Sequence, residues 1–93
     1  MDDPRRTVNH IDDLLTSVKE IEELLSLPPG WPGRTDRIFA LASSVSSIAP
    51  NQYTADLARK VRSEARDDDS RRIRTYLAHL RGELEQLRKA APT

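Results

Sequence analysis

Ninety-three residues with zero formal net charge, 37% apolar and 32% charged, fit one domain over residues 1–93 with a small core. The absence of cysteine excludes a disulfide framework, a thiolate metal site and a thiol nucleophile. No run of about 18 apolar residues is present to span a bilayer, and the start, Met1 to Arg5, lacks the apolar stretch of a signal peptide, so the expected setting is the cytoplasm.

Aromatic residues are limited to Trp31, Phe39, Tyr53 and Tyr76, so aliphatic side chains must supply most of the buried area, which favours helices. Charge is unevenly placed. Residues 1–33 hold three Lys/Arg against seven Asp/Glu, and residues 34–93 hold twelve against eight. The same chain carries twelve Arg but only three Lys.

Asp3 followed by Pro4 predicts the cap and first position of a helix over residues 4–26. Val8, Ile11, Leu14, Leu15, Val18, Ile21, Leu24 and Leu25 form its apolar stripe, and Asp12, Asp13, Glu20, Glu22 and Glu23 leave an acidic outside. The corner Pro28-Pro29-Gly30-Trp31-Pro32-Gly33 then stops it, because proline fixes its own torsion and restricts its neighbour.

Trp31 has two readings here: a ring that closes the open end of a bundle, which is the simpler one, or an interface anchor held out by a stiff turn. Trp31-Pro32-Gly33 also resembles the W-x-G turn of the exported helical hairpins of the WXG100 family. The likeness covers three residues, and Pro50 breaks the long second helix that such hairpins need, so no membership follows.

A second helix is expected from Thr35 or Asp36 as cap to Pro50, with Ile38, Leu41, Ala42, Val45, Ile48 and Ala49 on one face. No charged residue occurs from Ile38 to Ala55, which suggests burial on two sides, with the serines bonding to carbonyls one turn back. Asn51 is the expected cap of a third helix whose apolar line, Tyr53, Leu57, Val61 and Ala65, runs beside the basic Arg59, Lys60, Arg62 and Arg66. Asp67-Asp68-Asp69-Ser70 is expected to break the chain before a fourth helix over residues 70–90, because the apolar line has no member between Ala65 and Ile73.

In that last helix Ile73, Leu77, Leu80, Leu84 and Leu87 repeat at the 4-3-4-3 spacing of a coiled-coil seam, flanked at sevens by Arg74, Arg81 and Arg88. This seam either pairs with a second copy, as a homodimer, or forms the core of one chain with the arginine row beside the acidic first helix. The architecture expected is an all-α antiparallel bundle of about four helices, two long and outer, two shorter and inner.

Chemistry finds little support. His10 and His79 fall on different helices without a second imidazole or thiolate, and adjacent carboxylates such as Asp12-Asp13 point roughly 100° apart on a helix. No phosphate-cradling glycine loop or Gly-x-Ser-x-Gly elbow is present. No enzyme activity, cofactor, metal, membrane or small-molecule substrate is expected.

The function expected is a protein–protein interaction module, an adaptor, regulator or small inhibitor. Its partner contacts are assigned to Arg74, Arg81, Arg88, Trp31, Arg59, Arg62 and Arg66. The alternative is nucleic-acid binding by the basic stretch of residues 59–74, where Glu64, Asp67, Asp68 and Asp69 interrupt the positive charge and the helix-turn-helix pattern begun by Leu57-Ala58 does not complete.

Overall fold

Proline, asparagine and aspartate set the ends of the helices by their backbone chemistry. The computed structural model describes residues 4–90, with side chains from His10 onward, as α1 (Pro4–Leu25), α2 (Arg34–Ile48), α3 (Gln52–Arg66) and α4 (Ser70–Ala90). No strand occurs among the described residues. The expected cap Asp3 and the side chain of Val8 lie outside them.

α2 starts earlier than expected. Its N-cap is Gly33, at φ 79°, without a side-chain bond, and Thr35 and Asp36 fall inside the first turn. The cause is the preceding turn, in which the Arg34 N–H donates to the Trp31 carbonyl at 3.1 Å, so that the Gly33 carbonyl takes the first helical bond from Arg37. α2 ends as Pro50 requires, with Ala49 extended at ψ 142°. Asn51 then caps α3 in a reciprocal box: its Oδ1 accepts from the Thr54 N–H at 2.9 Å, and its own N–H donates to Thr54 Oγ1.

Each aspartate at the α3–α4 break has its own task. Asp67 is the C-cap of α3. Asp68 follows in the left-handed region, at φ 51°, and the Asp68 and Asp69 N–H groups return to the Ala65 and Glu64 carbonyls, the bond pattern of a Schellman ending. Asp69 opens α4 by accepting from the Arg72 N–H at 3.2 Å.

Successive helices are antiparallel neighbours, and α4 closes against α1, so the two long helices lie side by side with the shorter pair against them. Every helix sends its apolar face to one core, built on Leu14, Val18 and Ile21 of α1, Ile38 and Val45 of α2, Val61 of α3, and Ile73, Leu80 and Leu84 of α4. α2 packs on both α1 and α3, yet Ala40, Ser44 and Ser47 remain exposed, so burial does not account for its lack of charge. Ser46 and Ser47 both donate to the Ser43 carbonyl, as serines on a helix often do. No described helix is long and apolar enough to cross a membrane.

Candidate functional site

The proposed coiled-coil seam is core. Ile73, Leu77, Leu80 and Leu84 are all buried within the chain, and Leu87 packs half-buried against them. The arginine row is engaged internally as well. Arg74 donates to the Leu25 carbonyl at 2.9 Å, Arg81 bridges Glu22 and Glu85 at 3.1 Å each, and Arg88 pairs with Asp12. The Glu85 hydrogen bond and the charge of Glu22 hold the Arg81 guanidinium above its ordinary pKa. These cations match the acidic helix α1, so the row is bonded within its own chain while its side chains stay exposed.

Of the two readings of Trp31, its 51% exposure suits the interface anchor better than a ring enclosed at the end of the bundle. The local sequence explains how it is held. In Pro28-Pro29-Gly30-Trp31 the Trp31 N–H donates to the Pro28 carbonyl at 3.1 Å, with Gly30 at φ 83°. In Trp31-Pro32-Gly33-Arg34 the Trp31 carbonyl accepts from Arg34, with Gly33 at φ 79° and ψ −7°. Both have proline second and left-handed glycine third, the arrangement of a type II turn. Trp31 is the residue the two turns share, so its backbone is fixed on both sides. The surrounding prolines and glycines are all exposed.

Beneath this corner lies the one fully buried charge among the described residues, Arg34, with 1% of its surface exposed. Its Nη1 donates to Asp68 Oδ1 at 2.9 Å, Nε to the Leu24 carbonyl at 3.2 Å, and Nη2 to Ser70 Oγ. Asp68 also accepts the Gly30 N–H, at 3.2 Å on Oδ2. A buried guanidinium is tolerated only when paired and hydrogen-bonded, and this one is. It adds a second donor to the Leu24 carbonyl, which already accepts the Leu27 N–H, and Arg74 donates to the Leu25 carbonyl, so two arginines serve the last turn of α1, which has no basic residue of its own. The clasp therefore joins the end of α1, the Trp31 corner, the start of α2 and the α3–α4 turn.

The basic face of α3 divides in two. Arg59 is paired with Asp56 at 3.1 Å, and Lys60 lies over the Tyr76 ring at 5.5 Å. Arg62 and Arg66 both lie over Phe39, with their guanidinium carbons 5.8 and 5.3 Å from the ring centroid. Farther along, Arg72 pairs with Glu64 and Asp69, which reduces the positive field expected over residues 59–74.

Sequence reasoning singled out Trp31 but missed Arg34, Asp68 and Phe39. The available signal was an Asp run at a helix break, where one member must take a conformation that aspartate tolerates better than most residues. No group of three or more His, Asp or Glu side chains able to hold a metal occurs among the described residues. Comparison of the chain with protein-family models, curated proteins and solved structures returns no match.

Proposed function

We propose that the chain is a non-enzymatic protein–protein interaction module of the cytoplasm, an adaptor, regulator or small inhibitor, that docks through the Trp31 corner. The observation that carries this reading is a half-exposed tryptophan whose backbone is fixed by two successive Pro-Gly turns and braced by a buried ion pair. Tryptophan is the residue most enriched among binding hot spots, and a preformed loop reduces the ordering that binding must otherwise impose. The α4 seam is enclosed in the core, which removes the coiled-coil route to a homodimer and favours a different chain as partner.

The test is purification of the tagged protein from its own cells with nuclease treatment, wild type beside Trp31→Ala. A protein retained in near-equal amount by wild type and lost from the variant supports the reading. Equal retention by both overturns the role of Trp31. Loss of all bound material on nuclease treatment replaces the reading with nucleic-acid binding by the basic stretch.

A further inference from the structure

We infer that Arg62 and Arg66, held together on the ring of Phe39, form a docking site for neighbouring carboxylates on an acidic protein segment. The inference rests on the proposed function and names the chemistry of the partner that docks at the Trp31 corner.

Two arginines at i,i+4 on one helix repel each other, and the usual remedy is a carboxylate between them. Arg34, Arg37, Arg59, Arg72, Arg81 and Arg88 all have such a partner within the chain. Arg62 and Arg66 have none among the described residues, and, unlike Arg71 and Arg74, which also lack a carboxylate partner there, both are placed over one half-buried ring. A guanidinium drawn to an aromatic face by the ring quadrupole keeps its donors available, which suits bidentate bonding to a carboxylate.

The location connects this pair to Trp31. Phe39 is on the second turn of α2, just past the corner, and Arg66 is the last residue of α3, at the same end of the bundle. A continuous polyphosphate draws its affinity from many phosphate contacts rather than two, so a single pair of arginines suits a short run of carboxylates better. A second copy offers no neighbouring free carboxylates on its acidic helix: Asp12, Glu20 and Glu22 are already paired with Arg88, Arg37 and Arg81, and the exposed Asp13 and Glu23 stand far apart along it.

The experiment titrates the whole protein at low salt with a glutamate oligomer and, separately, with a short DNA duplex, following the arginine Nε–H signals by NMR. The oligomer should shift the Arg62 and Arg66 signals, and Arg62→Gln or Arg66→Gln should weaken binding about fivefold. Arg59→Gln, which removes a cation already paired, should weaken it less than about twofold. Phe39→Leu keeps every charge but removes the ring and should weaken binding as much as Arg62→Gln. Should that variant fail to fold, the Arg62→Lys, Arg66→Lys double substitution should also weaken binding, because it keeps the charge but removes the bidentate guanidinium donors.

Unshifted Arg62 and Arg66 signals would overturn the proposal. So would an equal loss in Arg59→Gln, which would reduce the effect to net charge, or tighter binding of the duplex than of the oligomer. Trp31→Ala should bind the oligomer as wild type does, so failure of the Trp31 corner and failure of this site give different results.

Discussion

Arg34 reaches across thirty-four residues of sequence to place its Nη1 2.9 Å from Asp68 Oδ1, and the same carboxylate holds the Gly30 N–H one residue before Trp31. The pair joins two turns that no helix joins. It also explains why an aspartate occupies a left-handed position that glycine fills at lower backbone cost: glycine would offer no carboxylate to the buried arginine.

Replacing Asp68 by Ala should therefore cost about 3 kcal/mol, because it leaves a buried guanidinium without its counter-charge. The double variant Arg34→Met, Asp68→Asn should lose less than Asp68→Ala alone, since no unpaired charge is then buried. Urea denaturation of wild type and the two variants measures this, and a double variant that loses as much as Asp68→Ala or more would show that the two residues do not act as a pair.

Two glycine substitutions should act in opposite directions. Gly33→Ala should destabilise by about 1 kcal/mol, because an L side chain disfavours φ 79° although a Cβ there would meet no atom. Gly82 lies within α4, where a Cβ also meets nothing within 4 Å, so Gly82→Ala should stabilise by about 0.5–1 kcal/mol. Thermal unfolding of both variants tests the assignment.

Leu80 and Leu84 are buried in the core of a single chain, so replacing both by Asp should abolish the cooperative fold rather than release folded monomers. Circular dichroism with sedimentation separates the two outcomes. A folded variant of reduced mass would return α4 to the role of a dimer seam.

Trp31→Ala should leave stability within about 0.5 kcal/mol of wild type, as expected for an exposed side chain outside the core. In the wild type, Trp31 is the sole tryptophan, and its emission should be that of a solvated ring readily quenched by acrylamide. A blue-shifted, protected emission would place the ring against the bundle and remove it as an anchor.

Asn51→Ala should cost about 1 kcal/mol by opening the reciprocal cap at the start of α3. Helical content near 25 °C should fall little, because α3 stays tied to the core through Leu57, Ala58 and Val61. The loss is read from the denaturation midpoint.

What the sequence by itself determined is what arises within a few residues of each position. Pro50 and Asn51 mark the α2–α3 junction, the apolar gap between Ala65 and Ile73 marks the next break, and helical spacing identifies the residues that become core. These follow from local torsions and from periodicity, so they are legible without knowing what packs where. The start of α2 was less so, because the second Pro-Gly turn closes onto Arg34 and begins the helix ahead of the apparent caps Thr35 and Asp36.

The tertiary structure alone decided the fate of the charges. Arg34 follows a glycine in a polar stretch and reads as a surface residue, yet its three acceptors come from Leu24, Asp68 and Ser70, which only the assembled bundle brings together. Arg74, Arg81 and Arg88 satisfy the heptad pattern equally well beside a second copy or beside α1, and the antiparallel contact with α1 is what gives them acceptors within the chain. Periodicity specifies which face of a helix is buried, but an ion pair depends on which helix lies opposite, and that is a property of the whole fold.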